Sequence, residues 1–258
     1  MIEVRDLRRT YRGRLGRKPV EALRGVSFDV GVGQRFGIVG ESGSGKSTVI
    51  RLLAALDKPT SGTVSFRGTR IDELPERRLK FLRDELQIVF QDPMGSLDPR
   101  MRVRDIICEP LKRSHNREER LRELLDAVGL PQDAASRYPH QFSGGQRQRI
   151  SIARALAPHP KVLIADEPVS ALDVSVRAQI LNLLGDLVER YDLTLVFVSH
   201  DLHVIRHVCD TVAVMRRGEI VELGEVDQVY QEPSHPYTRE LIAAAPTLRK
   251  ALARFQEG

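Results

Sequence analysis

Three stretches in the first seventy residues alternate apolar and polar side chains: Ile2-Glu3-Val4-Arg5, Val26-Ser27-Phe28-Asp29-Val30 and Gly62-Thr63-Val64-Ser65-Phe66-Arg67. A period of two predicts half-exposed antiparallel strands. Pro59-Thr60-Ser61-Gly62 marks a turn into the third. Four later runs are almost wholly apolar: Arg35 to Val39, Lys161 to Asp166, Thr194 to Val198 and Val212 to Met215. Thr48 to Leu53 and Val176 to Tyr191 carry apolar residues at helical spacing between them. Continuous apolar strands separated by helices predict a parallel sheet covered on both faces. Residues 92–160 change character. Arg, Glu and Leu dominate Asn116 to Leu125 at helical spacing, and Gly129 is placed as a C-cap. The expected fold is α/β, with a mostly parallel sheet, an N-terminal antiparallel β-subdomain and an inserted α-helical subdomain. The chain reads as one domain, 1–258. Its core is expected at about 1–91 and 161–230, its helical insertion at about 92–160 and a tail at about 231–258.

Composition narrows this picture only a little. Apolar residues make up 41% and charged residues 29% of the 258, as in ordinary globular proteins. Apolar runs such as Leu241 to Ala245 fall well short of the roughly 18 residues needed to span a bilayer. Met1-Ile2-Glu3-Val4-Arg5-Asp6 is mixed rather than a charged-then-apolar leader, so a cytoplasmic protein is expected. The two cysteines, Cys108 and Cys209, form no CxxC pair and read as reduced, buried thiols. The net charge of +5 comes from basic residues interspersed with acidic ones, so no nucleic-acid partner is expected. One cluster, Arg12-Gly13-Arg14-Leu15-Gly16-Arg17-Lys18, reads as a solvated hairpin loop, with phosphate or anionic headgroups as the alternative.

Chemistry enters at Gly40-Glu41-Ser42-Gly43-Ser44-Gly45-Lys46-Ser47-Thr48, which fills every fixed position of the G-x-x-x-x-G-K-[ST] phosphate loop. A buried strand precedes it and a helix follows, as the motif requires. Glycines let successive backbone N–H groups face phosphate oxygens, and the helix N-terminus adds its positive end. Lys46 is expected on the β- and γ-phosphates, and the Ser47 hydroxyl on Mg²⁺. A nucleoside triphosphate ligand follows, so the expected core is a P-loop NTPase (RecA-like) one.

Further segments give the chain a resemblance to the ATP-binding cassette family along nearly its whole length. Phe142-Ser143-Gly144-Gly145-Gln146-Arg147-Gln148-Arg149 is similar to that family's signature segment. Two glycines at a helix start offer a second anion cradle, although Ser143 also suits an ordinary N-cap. The resemblance implies that Ser143, Gly144, Gly145 and Gln146 face the γ-phosphate held by a partner chain. Asp166-Glu167 ends a buried strand at the sheet edge where ligands bind. Asp166 is expected to accept from Mg²⁺-bound water, or to orient Ser47, and by resemblance Glu167 is the general base or positioner of the attacking water. Gln91 matches the glutamine loop that touches Mg²⁺ or that water. Asp173, in Ser170-Ala171-Leu172-Asp173, matches a segment that communicates across the dimer. His200 matches the switch histidine on the γ-phosphate, and Tyr11 the aromatic that stacks on adenine. The implied activity is ATP hydrolysis with Mg²⁺, in a head-to-tail pair of cassettes.

Two segments resemble the di- and oligopeptide importer branch: Gln91-Asp92-Pro93-Met94-Gly95-Ser96-Leu97-Asp98-Pro99-Arg100-Met101, and His235-Pro236-Tyr237-Thr238-Arg239-Glu240-Leu241. Relatives in that branch handle nickel chelates, glutathione or opines. A single cysteine, Cys209, in the C-terminal half looks like the cluster-free cassette of the branch rather than its iron–sulfur partner. The implied partners are integral-membrane permease subunits, a second cassette chain in a homo- or heterodimer and, indirectly, an extracytoplasmic substrate-binding protein. The implied location is the cytoplasmic face of the inner membrane, as a peripheral protein. Candidate permease contacts are Phe90, Leu97, Pro99 and Met101. The competing readings are the same role in uptake of nickel chelates, glutathione or opines, a soluble cassette ATPase on nucleic acid or ribosomes, and an exporter cassette.

Overall fold

The computed structural model describes residues 1–12, 18–111 and 116–244. Of the basic loop after Tyr11, residues 13–17 lie outside the described part, as do tail residues 245–258. The strands are β1 (Ile2–Tyr11), β2 (Val20–Val30), β3 (Arg35–Val39), β4 (Ser61–Phe66), β5 (Thr69–Arg70), β6 (Leu86–Val89), β7 (Val162–Asp166), β8 (Thr194–Ser199), β9 (Thr211–Arg216) and β10 (Glu219–Glu225). The helices are α1 (Lys46–Leu53), α2 (Lys80–Glu85), α3 (Pro93–Ser96), α4 (Val103–Cys108), α5 (Arg117–Ala127), α6 (Gly144–Leu156), α7 (Val174–Arg190), α8 (Leu202–Val208), α9 (Val226–Gln231) and α10 (Pro236–Ala244).

The alternating segments form a four-stranded antiparallel sheet in the order β2-β1-β4-β5. Val4 lies opposite Phe28 on one side and Val64 on the other, and all three are buried. Strict alternation from Val4 would turn Asp6 inward. A bulge prevents this: Asp6 takes φ 43°, donates its N–H to the Ser27 hydroxyl at 2.8 Å, and Leu7 becomes the buried residue.

The apolar runs form a six-stranded sheet, β10-β9-β3-β8-β7-β6, parallel except for the β10–β9 hairpin. Its faces supply two cores. Val162, Ile164, Val196 and Val198 pack toward α1 and the antiparallel sheet. Leu163, Ala165, Leu195 and Phe197 pack toward α6, α7 and α8. Each buried Val, Ile, Leu or Phe among them contributes about 1.5–3 kcal/mol.

The chain between β6 and β7 carries α3 to α6, with Ile106, Leu121, Leu124 and Ile150 facing the second core. Leu97 also sits in that core, 3% exposed, and Met101 packs half-buried against it. Both were expected on a docking surface; Leu97 is instead a packing residue, while Phe90 is 42% exposed and Pro99 is exposed. Among the described residues no helix is long and apolar enough to cross a membrane.

Strand register sets up the site. Val39 pairs with Ser199, Asp166 with Val198, and Val89 with Ala165. The carboxyl ends of β3, β6, β7 and β8 therefore meet at one edge, where open α/β sheets bind ligands.

Candidate functional site

A cavity of about 1020 Å³ opens at that edge. It is lined by Tyr11, Ser42, Gly43, Gly45, Lys46, Ser47, Thr48, Gln91, Glu167 and His200, ten of the positions singled out in the sequence. Gly40 and Ser44 belong to the same loop but do not line the cavity. Gly45 caps α1 with φ 110°, and a Cβ there would lie 2.8 Å from the Ala22 carbonyl oxygen, so no other residue suits this position. The Ser44 carbonyl accepts the Gly218 N–H at 2.9 Å, which ties the loop to the β9–β10 turn. The Ser44 hydroxyl is buried and unpartnered among the described residues.

Lys46 is 5% exposed. Its ammonium donates to the carbonyls of Gly40 at 2.7 Å and Glu41 at 3.0 Å and stands 3.6 Å from Glu167 Oε1. Burial lowers its proton affinity, and the charges of Glu167 and Asp166 oppose that shift. Asp166 ends β7 behind the cavity wall. Its carboxyl is pushed up to about 6 by burial and then by the neighbouring Glu167, with Lys46 pulling the other way.

Glu167 adopts φ 45°, a conformation that costs a non-glycine residue about 1–3 kcal/mol. Local bonds hold it there. Its N–H donates to Val198 O at 3.0 Å, and its carbonyl accepts the Ser170 hydroxyl at 3.1 Å. The strained turn leaves the carboxylate between two groups from other strand ends: Lys46 on one oxygen and His200 Nδ1, 3.0 Å away, on the other. His200 itself is more than half exposed.

Tyr11 forms the far wall. Its hydroxyl donates to Asp57 Oδ2 at 2.8 Å, and the Arg9 guanidinium stands 4.6 Å from its ring centroid while bonding Asp57 at 2.6 Å. Val20, paired with Tyr11 across the β1–β2 hairpin, is 62% exposed and lines the same cavity. An aromatic face and an aliphatic neighbour fit a flat heterocycle.

Ser143, Gly144, Gly145, Gln146 and Asp173 are not brought to this cavity within one chain. Ser143 and Gln146 form a capping box on α6: the Gln146 side chain accepts the Ser143 N–H at 3.0 Å, and the Ser143 hydroxyl accepts the Gln146 N–H. Ser143, Gly144 and Gln146 are exposed. Gly145 is buried, and a Cβ there would collide with Val176 on α7. Asp173 caps α7 by accepting the Val176 N–H at 2.9 Å and is exposed beside Val174.

Sequence reasoning missed Val20, Arg24 and Arg217, which line the cavity, and Tyr237, whose hydroxyl accepts the Glu41 N–H of the phosphate loop at 3.0 Å. Val20 had a weak signal as an apolar residue next to the basic loop; the other three had none without the tertiary pairing. Cys108 and Cys209 are free and buried, and burial pushes both thiols up.

Comparison with known proteins gives a consistent result. Residues 23–170 match the ABC transporter family, and residues 221–257 match the oligopeptide/dipeptide transporter C-terminal region. The oligopeptide transport ATP-binding protein AppF of Bacillus subtilis is 49% identical over 97% of this chain and 79% of its own length. OppF of Streptococcus mutans, also an oligopeptide transport ATP-binding protein, is 46% identical over 98% of this chain and 84% of its own. The di/tripeptide transport ATP-binding protein DppF of Pseudomonas aeruginosa is 45% identical over 96% and 80%. Among solved structures, the dimeric ATP-binding cassette MJ0796, in a post-hydrolysis state bound to ADP and Pi, superposes with a TM-score of 0.78 at 33% identity, covering 88% of this chain and 99% of that one. The cbiO1 subunit of the cbiONQ transporter complex of Clostridium perfringens has a TM-score of 0.79 at 27% identity, covering 100% and 98%. With the fold, the phosphate loop and relatives nearly half identical over almost all its length in agreement, the chain belongs to the ABC transporter family.

Proposed function

We propose that this chain is the ATP-hydrolysing subunit of a membrane importer for di- or oligopeptides. The observation that carries the chemistry is the contact chain Lys46–Glu167–His200 at the mouth of the phosphate-loop cavity. The match of residues 221–257 to the peptide-transporter C-terminal region, and the names of the relatives, support the substrate class.

Two carbonyl oxygens, those of Gly40 and Glu41, hold the Lys46 ammonium at the phosphate loop. ATP takes their place, with adenine on Tyr11 and Val20 and the phosphates on the amides of Ser42 to Thr48. Glu167, freed from Lys46, accepts a proton from the attacking water or orients it, and His200 steadies both the carboxylate and the γ-phosphate. Removing such a group costs about 10²- to 10⁴-fold.

Mg²⁺ suits this site. Ser47, Gln91 and Asp166 offer hydroxyl, amide and carboxylate oxygens, the donors a hard cation prefers. When bound, Mg²⁺ neutralises charge on the phosphate oxygens. Asp166, whose buried carboxylate lacks enough positive charge nearby to bring it to the usual range, would hold the ion or its water.

The exposed Ser143, Gly144 and Gln146 lie off the cavity, so they complete a site only on a second cassette, as the dimeric relative supports. Asp173 and Val174 are exposed on the neighbouring helix start, ready for the same interface. A permease docks in the groove of about 200 Å³ between β6 and α6, lined by Leu56, Phe90, Pro110 and Ala155, where Leu56 and Phe90 are half exposed. The chain is then a peripheral protein at the cytoplasmic face of the membrane, energising permeases that an extracytoplasmic binding protein feeds. The test is phosphate release from ATP by the unsubstituted chain and by Glu167→Gln. Loss of turnover with ATP still bound supports the assignment; equal turnover sinks it.

A further inference from the structure

The second peptide-transporter segment, His235 to Leu241, does not end as a free appendage. Glu222 on β10 clamps it: the carboxylate accepts the backbone N–H and hydroxyl of Ser234 at 2.8 and 2.9 Å, the His235 N–H at 3.1 Å and the Thr238 hydroxyl at 2.5 Å. His235 Nδ1 then accepts the Tyr237 N–H at 3.1 Å and starts α10. These bonds seat Tyr237 2% exposed, with the Arg216 guanidinium 4.7 Å from its ring centroid. Its hydroxyl reaches 196 residues back along the chain to the Glu41 N–H, at 3.0 Å.

Glu41 is the entrance of the phosphate loop. Its carbonyl holds both Lys46 Nζ and the Ser44 N–H. The Ser44 carbonyl is held in turn by Gly218, from the turn that follows Arg216. The loop is thus gripped at two points by the C-terminal third of the chain.

We propose that Tyr237 is a positioning residue for the phosphate loop, so that docking of the C-terminal segment on β10 sets the affinity of the site for nucleotide phosphates. The inference rests on the nucleotide reading above. An undocked tail leaves the Glu41 peptide without its anchor, and the loop then spends ordering free energy when nucleotide binds. Docking removes that cost in advance. Tyr237 makes no contact with nucleotide itself and acts only through Glu41 and Lys46.

Tyr237→Phe deletes one oxygen and keeps the buried ring. In a Glu167→Gln background, which prevents turnover, binding of ATP, ADP and AMP is measured by titration on the full chain. The expected result is roughly three- to tenfold weaker ATP and ADP, the worth of one hydrogen bond. AMP, which lacks the phosphates that Lys46 reaches, keeps its affinity, and the melting temperature of the free protein falls by no more than about 2–4 °C, the worth of the same bond. Glu222→Gln, which loosens the clamp without touching the loop, weakens ATP in the same direction. Unchanged ATP binding in Tyr237→Phe overturns the proposal. Equal weakening of all three nucleotides also overturns it, since that marks general loosening rather than a phosphate-specific effect. No ATP binding by the unsubstituted chain overturns the nucleotide reading, and this inference with it.

Discussion

Replacing Asp166 with Asn removes a charge that the fold holds at a cost. Burial and the nearby Glu167 raise the Asp166 carboxyl from 3.8 to about 6. A carboxyl raised on folding binds its proton more tightly in the native state. Its contribution is therefore most favourable below pH 4 and is lost as pH rises through 6. From those two values, keeping the group ionised above pH 7 costs the native state about 3 kcal/mol, and about half of that at pH 5. Partial exposure screens some of this, and about 2 kcal/mol remains. Asp166→Asn keeps the shape and discards the charge. The metal-free, nucleotide-free variant should melt about 5 °C above the unsubstituted protein at pH 8, at roughly 2–4 °C per kcal/mol for a chain of this size. The gain should shrink by about half at pH 5 and vanish near pH 3.5. Melting curves in EDTA across that range are the assay. Added Mg²⁺-ATP should reverse the ranking, because the carboxylate then has its counter-charge. Equal melting temperatures at pH 8, or a variant less stable there, would refute the argument.

Other consequences can be read with simple assays. Phe90→Asp should leave melting and ATP binding unchanged while abolishing peptide uptake by cells that depend on this chain; normal uptake would remove the groove beside β6 from the account. Leu97→Asp, by contrast, buries a carboxylate in the second core and should lower stability by about 3 kcal/mol or more, so its loss of uptake would report unfolding rather than docking. Tyr11→Ala should weaken ATP about ten- to a hundredfold, the worth of one stacked base, whereas Tyr11→Phe stays within about threefold. Equal affinities for ATP in all three proteins would show that adenine does not rest on this ring.

Much of this architecture was legible because it depends on local pattern. Period two gave the antiparallel strands, and unbroken apolar runs gave the buried parallel ones. The phosphate loop, Asp166-Glu167 and His200 could be placed at one edge because each follows such a run. What depends on register or on distant packing was hidden. Leu97 sits between Ser96 and Asp98, so its surroundings in sequence suggested a surface it does not occupy. Val20 meets Tyr11 only through a hairpin with several register shifts. The strained backbone of Glu167 leaves no trace in composition, because the bond to Val198 that helps hold it is tertiary and the local bond from Ser170 has no sequence signature of its own. Tyr237 was read as a branch marker, and nothing in its segment pointed to Glu41.

The measurement that bears most directly on the composite site is the mass of Glu167→Gln by light scattering, with and without Mg²⁺-ATP. Lys46 and the exposed α6 cradle lie apart in one chain, so the account predicts a nucleotide-dependent shift from one chain to two. A protein that saturates with ATP and remains a single chain, both alone and with a second cassette chain and permease present, would contradict it.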